Sequence, residues 1–338
     1  MTYRVGINGF GRIGRLVFRA WLKQKPVGVE IVHVNDLFDP TALAMTLKYD
    51  SVHGKLDHDV RAEGSHLVVG PHRVLITNHK NPAEIPWENV DVVIESSGVF
   101  TSKKTEDKPG FDSHFAHGVK RVLLTVPAKG EIDGTIVLGV NDHELNAGMK
   151  TVSNASCTTN CVAPMAKILH EAFGIRKGLM TTVHAYTMDQ RLHDSPHKDM
   201  RRARAAAENI VPTTTGAAKA VGKVIPALKG KLDGLAMRVP VPDGSITDLV
   251  VELEKDVTQE QVLEAFRQAA AGPMKGILEY NTDPIVSSDI IGNDHSCIFD
   301  ADQTMVLGNL VKVVGWYDNE WGYSCRVIDL LARMCELG

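Results

Sequence analysis

The sequence predicts an α/β protein of two domains. A doubly wound, mostly parallel sheet comes first, and an α+β domain with a mixed, largely antiparallel sheet follows. Three observations carry that expectation. The chain has 338 residues, more than one domain of ordinary size holds. Its first half alternates short β-type runs with helical periodicity, the grammar of β-α-β units covered on both sheet faces. Its second half carries longer alternating runs, which suit antiparallel or mixed pairing.

In chain order, residues 3–8 form a β-type run. Residues 12–23 follow with Ile13, Leu16, Val17 and Ala20 at helical spacing, ended by Pro26 and Gly28. Residues 30–35 are a second β-type run. Residues 67–70 and 73–77, joined by Pro71-His72, read as a hairpin. Short apolar runs at 91–95, 121–126 and 135–140 complete the first half. Residues 157–173 are helical and 179–186 strand-like. The stretch 187–212 is charged and poor in apolar residues, so it reads as a long loop with some helix. Residues 213–228 open on threonines and turn helical. Runs at 235–241 and 247–253 alternate as strands, 258–271 is a capped helix, and 324–334 is the last clear helix. The change of pattern puts the domain boundary near residue 155.

Composition excludes several classes of protein. Apolar residues make up 43% and charged residues 23%, too apolar for a disordered chain. The formal net charge of −4 gives no global drive toward nucleic acid or an acidic membrane. No apolar run nears the roughly 18 residues that span a bilayer. Gly6, Asn8, Gly9 and Gly11 interrupt the N-terminal apolar stretch, which rules out a signal peptide. A cytoplasmic location is expected. Five cysteines without a CxxC pair argue against both a disulfide framework and a zinc site. His193 and His197 are spaced like metal ligands on a helix, but no metal motif surrounds them. No metal is expected.

Gly9-Phe10-Gly11-Arg12-Ile13-Gly14 matches G-x-G-x-x-G between a strand and a helix. The first glycine permits a tight turn, the second admits a pyrophosphate to the backbone, and the third lets the helix pack on the strand. Free N–H groups at the helix start then bind phosphate. Asp36 closes the next strand, where a carboxylate accepts hydrogen bonds from an adenosine ribose and repels a 2′-phosphate. A Rossmann-type domain binding NAD rather than NADP is the reading. A glycine turn with a chance acidic residue is the bland alternative.

Ser153-Asn154-Ala155-Ser156-Cys157-Thr158-Thr159-Asn160-Cys161 leads into a helix. Polar capping residues put Cys157 in the first helical turn, where N–H groups stabilise a thiolate. A buried inert thiol is the alternative for Cys157 and the preferred reading of Cys161. His184, in Thr181-Thr182-Val183-His184-Ala185-Tyr186-Thr187, ends a strand. Spacing alone does not bring it to a cysteine.

Together these segments resemble the phosphorylating glyceraldehyde-3-phosphate dehydrogenases. The resemblance rests on GINGFGRIGR, NDL, KYDSVHG, SNASCTTNC, HAYT, PTTTGAAKAVGKVIPALKGKLDGLAMRVP and WYDNEWGYS, spread over nearly the whole chain. It implies an NAD-binding domain over 1–155, completed by the C-terminal helix 320–338, and a catalytic and oligomerisation domain over 156–319. It implies Cys157 as nucleophile and His184 as its base. For the cofactor it implies Gly9, Gly11, Arg12, Ile13, Gly14, Asp36, Lys80, Thr125 and Asn319, with Asn319 on the nicotinamide carboxamide. Thr187, Asp189 and Arg238 would hold the substrate phosphate. Ser156, Thr158, Thr215 and Gly216 would hold the attacking inorganic phosphate. The expected reaction converts glyceraldehyde 3-phosphate, phosphate and NAD to 1,3-bisphosphoglycerate and NADH, in glycolysis or gluconeogenesis, in a cytoplasmic homotetramer.

Some wording departs from the family. Met188 stands where Asn is frequent, Ser97 where Thr is frequent, and Ser195-Pro196 falls in a loop bearing on cofactor choice. The basic stretch 197–204 is read as making ion pairs between subunits rather than binding nucleic acid. Two other functions remain open: the related erythrose-4-phosphate dehydrogenase, and a non-catalytic dinucleotide-binding module. The intact TTTGAAKA segment argues against the first, and Cys157 with His184 against the second.

Overall fold

A computed structural model describes residues 2–338. The chain divides into two compact units. The first comprises Met1–Ile136, His143–Ala155 and Ser324–Gly338, and the second Val137–Asp142 and Ser156–Tyr323.

The first unit is built on a nine-stranded sheet. Its elements are β1 (Tyr3–Asn8), α1 (Arg12–Gln24), β2 (Val29–Asn35), α2 (Pro40–Lys48), β3 (Val60–Glu63), β4 (His66–Val69), β5 (His72–Thr77), β6 (Val92–Glu95), β7 (Arg121–Leu124), β8 (Gly134–Thr135) and β9 (Thr151–Ser153). The sheet order is β3-β4-β5-β2-β1-β6-β7-β9-β8. β1 pairs in parallel with both β2 and β6. The chain therefore travels outward from β1 to one side and returns to its other side. That reversal opens a crevice beyond the carboxyl end of β1. Strands β6 and β7 are buried along their whole length, so they read as short continuous runs, whereas β2 alternates at its start with Glu30 exposed.

The second unit begins with α3 (Cys157–Phe173) and a seven-stranded mixed sheet. The remaining elements are β10 (Ile175–Ala185), β11 (Val211–Thr214), α4 (Ala217–Val224), β12 (Leu232–Val239), β13 (Ser245–Leu253), α5 (Gln259–Ala271), β14 (Leu278–Asn281), β15 (Cys297–Leu307) and β16 (Leu310–Tyr317). Their order is β11-β12-β10-β13-β16-β15-β14. β13 alternates buried and half-buried residues along its whole length, as a strand with one face on a core must. Thr258 caps α5 through the Gln261 N–H, and Gln261 returns the bond. The chain closes on α6 (Trp321–Glu336), which from Ser324 onward belongs to the first unit.

Several elements differ from the sequence expectation. The apolar run at 135–140 is strand only at Gly134–Thr135. Beyond it the Val137 N–H bonds to Asn141 Oδ1 at 2.9 Å, and Gly139 takes φ +81, so the run bends into a turn. The threonines at 213–214 are strand β11, not the start of a helix, because β12 offers them an antiparallel partner. The stretch 187–212 contains turns and a bridge between Arg191 and Ala205, without regular helix. Arginine–aspartate pairs hold it: Arg202 reaches Asp189 and Asp199, and Arg204 reaches Asp194 at 2.9 Å. α2, β3, β9 and β14 to β16 carry no strong local signal in the sequence. Most are short or are fixed by neighbours distant in sequence.

One buried group makes the first unit sensitive to acid. His33 on β2 is 2% exposed and contacts Thr77 Oγ1 at 2.9 Å. Burial, assisted by nearby His79, lowers its pKa from 6.5 to about 4. Between those values the unfolded chain binds the proton and the folded chain does not. Stability therefore falls as pH drops from about 6.5 to 4, by up to about 3 kcal/mol from this residue. Urea unfolding across that window is expected to show the slope, and His33→Gln to flatten it. Equal slopes in both proteins would assign the effect elsewhere.

Candidate active site

The glycine loop is shaped by close approach. A Cβ on Gly14 would lie 2.1 Å from the Gly9 carbonyl oxygen. Gly9 itself has φ +88, and a Cβ there would meet the Ser97 backbone at 2.5 Å. A Cβ on Gly11 would meet nothing within 4 Å, leaving backbone open to a ligand. The loop delivers the N-terminus of α1 to a cleft of about 960 Å³. Gly9, Gly11, Asp36 and Lys80 line it, with Asn8, Ser96, Ser97 and His79 also in the wall. Asp36 accepts the Phe10 N–H at 2.6 Å and the Phe38 N–H at 3.1 Å, which fixes its carboxylate at the end of β2. Turn, open backbone, helix start and carboxylate together fit a dinucleotide.

The other expected cofactor residues are placed differently. Arg12 pairs with Asp50. Ile13 is half-buried in the first turn of α1. Thr125 bonds the Glu95 carbonyl from both its N–H, at 3.0 Å, and its hydroxyl, at 3.2 Å. Asn319 belongs to the second unit, where its Oδ1 accepts the Ser245 hydroxyl at 2.6 Å.

In the second unit, Ser156 caps α3 by accepting the Thr159 N–H at 3.1 Å, and Cys157 is the first helical residue. Its Sγ lies 3.5 Å from His184 Nε2. The register explains the third member. β10 and β12 run parallel with His184 opposite Arg238, and Arg238 Nη1 stands 2.6 Å from His184 Nδ1 and 3.1 Å from the Ala185 carbonyl. The Ala185 carbonyl is also 2.7 Å from Nδ1. Arginine only donates, so the two contacts at Nδ1 select different tautomers. With Arg238 on Nδ1, Nε2 carries the proton and points it at sulfur. With Nδ1–H on Ala185, Nε2 offers the thiol a lone pair.

Opposing influences act on the Cys157 thiol. Burial pushes the Cys157 thiol up to about 11. The Arg238 charge and the N–H groups of Cys157 and Thr158 pull it down, but desolvation is larger. Burial and Arg238 together push His184 down to about 3. Desolvation therefore opposes the stabilisation that the helix start gives a thiolate. Ionisation must be coupled to a proton acceptor.

The anion-binding candidates make the following contacts. Thr187 donates to Asp189, and Asp189 pairs with Arg202. The charges of Arg238 and Arg202 both act on Asp189. Ser156 and Thr159 share a contact of 2.7 Å between their hydroxyls. Thr215 accepts the Ala217 N–H at 3.2 Å, and Gly216 caps α4 with open space where a Cβ would stand. Thr158 is different: its hydroxyl is buried on Tyr317 at 2.9 Å.

Tyr317 had no role in the sequence reading. Its hydroxyl contacts Thr158 on α3 and, at 2.8 Å, Thr182 on β10. Its ring meets His184 edge-on at 5.8 Å. It therefore ties the element bearing the cysteine to the strand bearing the histidine. A tyrosine at a strand end carries no signal of such a role.

Two family profiles match the chain. Residues 3–103 match "Glyceraldehyde 3-phosphate dehydrogenase, NAD binding domain", and residues 156–319 match "Glyceraldehyde 3-phosphate dehydrogenase, C-terminal domain". Curated relatives cover nearly all of it. Glyceraldehyde-3-phosphate dehydrogenase 2 of Streptomyces avermitilis is 58% identical over 334 residues, 98% of each chain. The glyceraldehyde-3-phosphate dehydrogenase of Borreliella burgdorferi is 57% identical over 98% of this chain and 100% of its own. That of Geobacillus stearothermophilus is 55% identical over the whole of both.

The Tyr317 tie yields a test. Tyr317→Phe removes a hydroxyl that two buried threonines contact, of which Thr182 keeps the Ile246 carbonyl at 3.2 Å, so stability is expected to fall by about 1–2 kcal/mol. Denaturant unfolding followed by fluorescence measures it. A loss below about 0.5 kcal/mol would show that the tie contributes little.

Proposed function

We infer the function of this chain from its kinship: it belongs to the glyceraldehyde-3-phosphate dehydrogenase family. It is an NAD-dependent oxidoreductase that converts glyceraldehyde 3-phosphate and phosphate to 1,3-bisphosphoglycerate, with NADH as the second product, in glycolysis or gluconeogenesis. The observation that carries the chemistry is the contact of Cys157 Sγ with His184 Nε2 at 3.5 Å, at the first residue of a helix.

We assign the roles as follows. Cys157 sulfur adds to the aldehyde carbon as His184 Nε2 takes the thiol proton, giving a thiohemiacetal. The Cys157 N–H and His184 stabilise the oxygen that gains charge. NAD, held by the glycine loop and Asp36, would supply the hydride acceptor for oxidation of the thiohemiacetal to a Cys157 thioester, with His184 taking up the hydroxyl proton. Inorganic phosphate then attacks the thioester carbonyl, and the Cys157 sulfur leaves. Thr187, Asp189 and Arg238 hold the substrate phosphate, and Ser156, Thr158, Thr215 and Gly216 hold the attacking one. A phosphate drawn to Arg238 would take its guanidinium off His184 Nδ1 and favour the tautomer in which Nε2 is the base. Gly9, Gly11, Gly14, Arg12, Ile13, Asp36, Lys80, Thr125 and Asn319 are the proposed cofactor residues.

NAD reduction with glyceraldehyde 3-phosphate is expected to require phosphate and to vanish in Cys157→Ser, roughly 10⁴-fold or more, with NAD binding retained. Faster, phosphate-independent reduction with erythrose 4-phosphate would favour that related activity. Activity surviving in Cys157→Ser would remove the cysteine from the mechanism.

We also propose a homotetramer. The long segment after β10 exposes Met188, Leu192, Met200 and Ile210, each more than half exposed, although such residues gain by burial. Light scattering after gel filtration is expected to give four copies, and a monomer at micromolar concentration would refute it. No described helix is long and apolar enough to cross a membrane. We place the enzyme in the cytoplasm, and recovery of its activity in a membrane or secreted fraction would contradict that.

A further inference from the structure

A buried carboxylate underlies the cofactor cleft without lining it. Glu95, the last residue of β6, is fully buried. Its Oε1 accepts the Ser97 N–H at 2.8 Å and the Ser97 hydroxyl at 2.5 Å. Its Oε2 accepts the Asn8 amide at 2.6 Å and faces His114 Nε2 at 2.8 Å. The Trp87 indole N–H, which can only donate, points at His114 Nδ1 at 3.0 Å. His114 Nδ1 is therefore an acceptor, and Nε2 carries the ring proton. Three fixed donors, the Ser97 N–H, the Asn8 amide and His114 Nε2, converge on the two oxygens together with the Ser97 hydroxyl, an environment built for a carboxylate. Among the described residues its ion-pair contact is with His114, whose Nδ1 is taken by Trp87, and no lysine or arginine pairs with it.

The network continues into the cleft wall. Asn8 Oδ1 accepts the Asn35 amide at 2.9 Å, and Asn35 Oδ1 accepts the His79 N–H at 2.9 Å. Asn8, Asn35, His79 and Ser97 all line the cleft. A dinucleotide lies across the reversal of strand order. With the adenosine ribose at Asp36 on the β2 side, the nicotinamide half falls on the β6 side, where Glu95 holds Ser97.

We propose that Glu95 is a positioning residue whose uncompensated charge, held by Asn8, Ser97 and His114, biases the site toward oxidised over reduced cofactor. The inference rests on the NAD reading above. Hydride uptake makes the cofactor one unit more negative. A fixed anion beneath the nicotinamide half therefore weakens the reduced form relative to the oxidised one, and so assists its release.

The test is binding, measured by calorimetry on the full chain with NAD, NADH and ADP-ribose. Glu95→Gln keeps the shape but turns an amide donor toward the converging donors, so both cofactors are expected to bind more weakly. NADH should lose less, so that the ratio Kd(NADH)/Kd(NAD) falls roughly threefold or more, the size for removal of a unit charge behind partly screening protein. Glu95→Asp retains the charge and should retain the ratio. Ser97→Ala removes one donor to Glu95 but leaves its charge, and should also retain the ratio. A ratio unchanged in Glu95→Gln, or one that shifts as far in Glu95→Asp, would overturn the proposal. ADP-ribose, which lacks nicotinamide, should follow the positioning loss alone. Failure of the wild-type chain to bind either cofactor would instead overturn the NAD reading itself.

Discussion

The turn from β1 into α1 depends on one missing atom. A Cβ on Gly14 would lie 2.1 Å from the Gly9 carbonyl, well inside contact distance with backbone that cannot yield. Without that approach α1 could not start so soon after β1, and its free N–H groups would not face the crevice left by the strand reversal. Asp36 completes the crevice from the next strand and bonds back to the loop through the Phe10 N–H. The loop, the helix and the acidic residue are therefore one device, fixed by backbone geometry more than by side-chain packing.

The second unit uses another helix start for different chemistry. Ser156 takes one orphan N–H of α3, and the remaining N–H groups are left near the Cys157 sulfur. Burial opposes charge on both the thiol and the imidazole. The site therefore depends on a proton moving between two partners held in contact, and its rigidity matters. Tyr317 supplies part of it, with its hydroxyl on both Thr158 and Thr182. The register of β10 on β12 supplies the rest, by setting Arg238 opposite His184.

Much of the fold was legible because it is written locally. Residues 12–23 show their helical period, and α1 covers them. Ser156 before Cys157 and Thr258 with Gln261 are capping signals, and both mark helix starts. The hairpin at Pro71-His72 and the strands around 30–35 and 247–253 also follow their residue types. The run at 135–140 misled because its apolar residues are closed into a turn by Asn141, which pattern alone does not weigh. Thr213 and Thr214 misled because hydroxyl residues serve a helix start and an edge strand equally well, and only β12 decides between them.

The sequence by itself determined the glycine spacing, the acidic strand end, the position of Cys157 in its helix and the family. All are local signals within a few residues, where backbone sterics and capping leave little choice. Tertiary structure alone decided that His184 meets Cys157, that Arg238 sits on the far ring nitrogen, and that Tyr317 ties the two elements. It also decided that Glu95 gathers Asn8, Ser97 and His114. Those contacts join residues far apart in the chain. They follow from strand register and burial, which are set by the whole core together.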